Sequence, residues 1–277
     1  MNTPYKLIGW DIEIATELAD DWRKAPSPGI SVAAAATNPE DDTDKILWHA
    51  GREPRMTVEQ ARRMADWLID EARAGSIIIT WNGAGFDFPV LARECDDPNY
   101  ERELAQVTMA HVDVAFQFFC TMGYMISLNA AAKALHLEGK LPGMSGRLAP
   151  LLWNAPARDL TDREMMEFRE LGVEPGSHAA RNLCARYVIQ DALTTLQVYE
   201  RLMEDRILVW RTRAGHLTKR PWIPLVTGNP PRLYTCAESL DITPPDTSWM
   251  NNPRNRSDFI GWAQTILGKR GKGNGRD

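Results

Sequence analysis

Five residues in three separate stretches have the types and spacing to act on a phosphodiester. Asp11 and Glu13 flank Ile12 toward the end of an apolar run. Asp87 closes the segment Trp81-Asn82-Gly83-Ala84-Gly85-Phe86-Asp87, which follows a second apolar run. Tyr187 and Asp191 stand four apart in a long helical pattern. Together they offer four carboxylates and one phenol. Acidic oxygen ligands with a phenol are what divalent-metal hydrolysis of a phosphodiester requires.

The elements beneath these residues must set their directions. From Tyr5 to Ile14, Leu7, Gly9, Asp11 and Glu13 fall on one side and Ile8, Trp10, Ile12 and Ile14 on the other, which is the period of a strand. Its two carboxylates then point the same way, roughly 6 to 7 Å apart along the chain. Pro89 sits where an early helical residue loses nothing by lacking an N–H, so Asp87 stands at a helix start. Tyr187 and Asp191 share one helix face. A phenol with an ordinary pKa of about 10 is better suited to orienting water than to removing its proton. Each stretch taken alone also has a structural reading: a solvated acidic strand face, an aspartate capping a helix, or ordinary helix packing.

The remaining pattern is that of an α/β protein. Gly29–Thr37 and Lys45–Ala50 read as strands joined by turn chemistry at Asn38-Pro39 and Asp41-Asp42, giving a three-strand meander. Thr57 and Gln60 open a helix that Gly75 ends, and Ser76–Trp81 reads as a buried strand. Helices are expected over 88–94, 100–106, 114–121, 128–136 and 148–153, over a segment capped by Thr161 and Glu164, and from His178 to Leu208 behind Ser177. After Trp210 periodicity fades and prolines accumulate, so irregular covering structure is expected, then a short helix over 258–267 and a disordered tail. The expected division is a body over 1–208 and an extension over 209–277.

Composition narrows the class. The 277 residues carry a net charge of −5, with 44% hydrophobic and 25% charged residues, as in globular proteins. Charge is unevenly spread: residues 209–277 hold 11 Lys and Arg against 5 Asp and Glu, and the rest hold 21 against 32. That asymmetry suits a metal-dependent body with a basic arm, and by charge alone equally a soluble acidic domain with an ordinary basic tail. Cys95, Cys120, Cys184 and Cys236 lack zinc-ligand or disulfide spacing and read as small buried hydrophobes. No run of 18 apolar residues and no leader pattern is present, so a cytoplasmic protein without membrane partners is expected.

Asp11-x-Glu13, Asn82-xxx-Phe86-Asp87 and Tyr187-xxx-Asp191 together resemble the three exonuclease motifs of the DnaQ-like 3′-to-5′ exonucleases of the ribonuclease H-like fold, in the subgroup with tyrosine in the third motif. The likeness covers about residues 5–205. Ser127-Leu128-Asn129, Ala132-Lys133-Ala134-Leu135 and Gly139-Lys140 are further similar to predicted exonucleases related to the proofreading domain of family B DNA polymerases. Arg186 stands where another subgroup carries histidine, which excludes that subgroup's mechanism.

The resemblance implies a mixed central sheet flanked by helices, its first three strands an antiparallel meander. It implies two Mg²⁺ or Mn²⁺ ions, with Asp11 bridging both, Glu13 and Asp191 completing the ligands of the first metal, Asp87 holding the second metal partly through water and Tyr187 placing the attacking water. Nucleoside 5′-monophosphates would leave the free 3′ end of a single strand, with DNA favoured over RNA. Asp113 offers another acid but lacks the Asn-xxx-Phe context and ranks below Asp87. Phe86 and Asn82 could stack on a base and bond the sugar or phosphate, or serve as core and turn. Lys133 and Lys140 could meet phosphate or remain solvated, and Arg211, Arg213, Lys219 and Arg220 near Trp222 could guide a strand. A non-catalytic nucleic-acid-binding or adaptor module and an endonuclease are the alternatives.

Overall fold

Alternation in the first apolar run produces the middle strand of the sheet, β1 (Leu7–Ile14). The computed structural model describes residues 5–37, 45–212, 215–221, 225–226 and 231–268. β2 (Ile30–Ala36) and β3 (Lys45–His49) follow as the expected antiparallel meander. The turn residues Asn38-Pro39 and Asp41-Asp42 lie outside the described residues. α1 (Val58–Arg73), opened by a Thr57–Gln60 capping box, carries the chain back so that β4 (Ile77–Thr80) lies parallel to β1. After α2 (Asp87–Glu94) and α3 (Pro98–Ala110), β5 (Val112–Asp113) adds a further parallel strand. The sheet is mixed and five-stranded, in the order β3-β2-β1-β4-β5.

Helices then cover it: α4 (Val114–Met122), α5 (Leu128–Ala134), α6 (Ala149–Trp153), α7 (Asp162–Leu171) and α8 (His178–Asp205). The side of β1 that carries Asp11 faces α8. Opposite Gly9 and Asp11 on β2 stand Ala36 and Ala34, so this face is paved with small side chains. Backbone and helix therefore approach closely: a Cβ on Gly9 would lie 2.3 Å from the Ala192 carbonyl oxygen. On the other side of β1, Trp10 packs against Phe88 of α2, ring centroids 4.8 Å apart.

Three expectations need correction. The last long helix ends at Asp205, not Leu208, because Arg206 turns left-handed (φ 52°) and Ile207 starts a β-branched and aromatic run. Residues after 206 are more regular than their prolines suggest. β6 (Ile207–Arg211) and β7 (Leu217–Pro221) form a hairpin, β8 (Leu225–Val226) pairs β9 (Arg232–Leu233), and α9 (Cys236–Ser239) and α10 (Ser257–Gly268) follow. The His111-Val112-Asp113 stretch supplies the fifth strand, too short for its period to show. Trp222, Arg213 and the Gly/Lys/Arg tail lie outside the described residues.

The extension joins the body's cores. Leu208, Trp210 and Leu233 share a cluster with Leu7, Ile77 and Val112, while Phe259 and Ile260 of α10 pack with Phe116 and Phe119. All four cysteines are free and buried. Among the described residues no helix is long and apolar enough to cross a membrane.

The contact at Gly9 is testable. Gly9→Ala is expected to cost on the order of 2 kcal/mol by overpacking against α8, read as a lower urea midpoint with an unchanged slope.

Candidate active site

Residues 180 positions apart in the sequence converge where β1 meets α8. Carboxylate oxygens of Asp11, Glu13 and Asp191 all lie within 4.8 Å of one another. Glu13 and Asp191 are buried, and Asp11 is half-buried at the mouth. Tyr187, one turn before Asp191 on α8, is fully buried beside them. Asp87 joins from the first turn of α2, and its Oδ1 accepts the Ile12 N–H at 3.3 Å, between the two β1 acids. It stands next to the trio of carboxylates rather than within it.

So many acids in one buried place resist ionisation. Burial pushes Asp11 and Glu13 well up, and the charges of Asp87, Asp191 and Glu13 raise Asp11 further. Burial lifts Asp87 to about 7, although the Ile12 N–H pulls it down. Burial likewise holds the Tyr187 phenol above its usual range, with Glu13, Asp191 and Asp11 adding to the effect, so it stays protonated.

Lys140 supplies the counter-charge. Its Nζ donates to Tyr187 Oη at 2.6 Å and to Asp191 Oδ2, and it lies 4.8 Å from the Tyr187 ring centre. Burial disfavours this ammonium, but Asp191, Asp11 and Glu13 outweigh that and hold it above the ordinary lysine range. The loop that carries it is pinned to α8: the Gly139 carbonyl accepts from Gln190 Nε2 at 3.3 Å and Thr194 Oγ1 at 3.4 Å. Gly139 itself is left-handed (φ 77°), and a Cβ there would meet Asn129 Oδ1 at 2.7 Å. The contacts Lys140 makes here are to a carboxylate and a phenol.

A hard cation fits this set. Asp191 Oδ1 is buried without a hydrogen-bond partner, which is costly unless a positive charge stands beside it. The donors are carboxylate oxygens alone, the type that suits Mg²⁺ and Mn²⁺ over softer metals.

A second cluster, His111, Asp113 and Cys236, has metal-ligand types and is occupied otherwise. His111 Nδ1 lies 2.7 Å from the Thr108 carbonyl, which can only accept, so Nδ1 bears the proton and Nε2 accepts from Thr80 at 2.9 Å. Asp113 receives the N–H groups of Asn82, Phe116 and Ala84 at 2.9, 3.0 and 2.9 Å. It organises the turn that presents Asp87. Burial raises its pKa to about 6 against those donors.

The other sequence candidates fall around this turn or away from it. Asn82 is left-handed (φ 72°), at the start of the turn. Phe86 is half-buried and meets Trp22 edge-on, centroids 5.3 Å apart. Lys133 is exposed on α5, and no hydrogen bond among the described residues joins it to the acids. Residues that sequence reasoning missed hold the turn from outside. Arg23 Nη2 donates to the Gly85 carbonyl at 3.0 Å and to that of Asp258 at 2.7 Å, and Trp262 Nε1 donates to the Ala84 carbonyl at 2.9 Å. Partners this distant in the chain leave no local signal.

The comparisons agree with this architecture. Residues 30–203 match a family model described as the RNase_H superfamily, and the chain belongs to that superfamily. Its members are typically hydrolytic nucleases acting on nucleic acid with divalent metals. The matched span begins at β2, after Asp11 and Glu13. No curated protein matches the sequence.

The raised acids carry a pH signature. Asp87 is near 7 in the folded protein and about 4 when unfolded. Between those values the folded state binds more protons, so stability falls as pH rises. In EDTA the urea midpoint is expected to drop from pH 5 to pH 8, and Asp87→Asn to flatten that slope.

Proposed function

We propose that this chain is a metal-dependent 3′-to-5′ exonuclease that hydrolyses single-stranded nucleic acid ends, DNA in preference to RNA, to nucleoside 5′-monophosphates. The observation that carries the reading is the convergence of Asp11, Glu13 and Asp191 within 4.8 Å, with Asp191 Oδ1 buried and unpartnered. The three motif resemblances and membership of the RNase_H superfamily support it. Polarity and end-specificity come from the motif resemblance.

In this reading Asp11, Glu13 and Asp191 hold one divalent cation, and Asp11 with Asp87 a second. Bound there, the pair would supply the positive charge that activates water and stabilises the leaving oxygen. Tyr187, kept protonated by its surroundings, orients the water through its hydroxyl and does not remove the proton. Lys140, bonded to Asp191 and Tyr187, offsets part of the acids' mutual repulsion. In this reading Phe86 and Asn82, on the turn before Asp87, grip the terminal nucleotide. Lys133 is left to longer-range attraction of phosphate.

Two oligonucleotides, one labelled at each end, distinguish the outcomes. With Mg²⁺ or Mn²⁺, shortening from the 3′ end with release of mononucleotides is expected, and closed circular single strands should remain intact. Asp191→Asn is expected to lower the rate about 100-fold or more, and to reduce the thermal stabilisation that Mn²⁺ gives the wild type. Cleaved circles would make the protein an endonuclease. Binding without cleavage under all metals would make it an adaptor.

Tyr187→Phe separates orientation from proton removal. Loss of the hydroxyl is expected to reduce kcat about 10- to 100-fold through misplacement of water, with the acid limb of the pH–rate profile unmoved.

A further inference from the structure

A cleft outside the acid site has a volume of about 1460 Å³. Its floor is one face of the β6–β7 hairpin, where Trp210 pairs with Thr218 across the strands and Arg220 follows two residues on. Its walls are the turn from α4 into α5, with Tyr124, and the segment 245–252, with Trp249. Aromatic rings step outward from the core. Trp210 is 1% exposed, its ring centre is 6.4 Å from that of Tyr124, and Tyr124 lies 6.2 Å from Trp249, which is 67% exposed.

We propose that this cleft is a strand-holding subsite: it takes single-stranded nucleic acid upstream of the 3′ end, stacking bases on Tyr124 and Trp249 and meeting phosphate with Arg220. The inference rests on the nuclease reading above. Four observations select this occupant. The volume exceeds the roughly 300–1,000 Å³ of a small-molecule pocket, which favours an extended chain. An exposed ring, Trp249, and a half-buried one, Tyr124, in a cleft with a cation that forms no ion pair are the combination that binds single strands without regard to sequence. Arg220 is exposed and forms no ion pair among the described residues, while Asp246 on the rim turns to its own chain, accepting the Ser248 N–H at 2.9 Å. The cleft is also next to the acids: Ser127 and Ala130 of α5 line it, and Asn129 of the same helix accepts the N–H of Lys140.

The test is binding of a 5′-fluorescein-labelled dT12 strand to the full chain in EDTA, where no cleavage occurs, followed by anisotropy at several salt concentrations. Trp249→Ala is expected to weaken binding about 5- to 150-fold. Arg220→Ala should weaken it and lower the slope of log K against log salt by about 0.7, one phosphate contact on a single strand. Leu217→Ser, exposed on the hairpin and not part of the cleft lining, serves as a control and should bind as the wild type. Unchanged affinity and salt slope in Trp249→Ala and Arg220→Ala would overturn the subsite even if end-trimming is intact. Weakened binding in a protein that trims no ends would sustain the subsite and sink the exonuclease reading instead. A dimer in sedimentation that Trp249→Ala dissolves would assign the cleft to a second copy and overturn the proposal.

Discussion

Like charges forced together in a dry place govern this structure. Glu13, Asp87 and Asp191 are buried, Asp11 is partly so, and no arrangement of apolar neighbours could make their joint ionisation cheap. The protein answers with one ammonium, that of Lys140, shared between Asp191 and Tyr187. One positive charge for four acids leaves a deficit that further cations would relieve. The rest of the fold serves to hold these groups in place: small residues on β1 and β2 admit α8, and the short sheet strands β4 and β5 set the height of the turn before Asp87.

Two buried aspartates show how the same side chain is given opposite work. Asp113 spends its oxygens on backbone N–H groups and becomes part of the scaffold. Asp191 keeps one oxygen bare and gives the other to a side chain that can leave. The first stabilises a turn, and the second keeps a capacity for binding. Type and burial alone would not distinguish them, since only the count of fixed donors does.

Most of the framework was legible because it is written in local periods. Alternation placed Asp11 and Glu13 on one face of a strand, capping boxes located α1 and α7, and the four-residue spacing put Tyr187 and Asp191 on one side of α8. What escaped was either too short or too distant. Val112–Asp113 has no period to detect, and the hairpin after Arg206 was hidden by nearby prolines such as Pro221, which ends β7. The bonds from Arg23 and Trp262 to the turn close over separations that no window of sequence spans. Lys140 was noticed for its charge, but its carboxylate partners were set by the third dimension.

The anchoring of Gly139 sets which part of the loop is free to move. Its carbonyl is tied to Gln190 and Thr194, so the backbone just before Lys140 is fixed to α8. The ammonium can therefore withdraw from Asp191 by turning about its own side-chain torsions, with no opening of the loop. Rotamer changes of partly exposed side chains take picoseconds to nanoseconds, whereas loop motions extend to microseconds. Release of Asp191 by this ammonium is thus a matter of one side chain's torsions rather than of the loop.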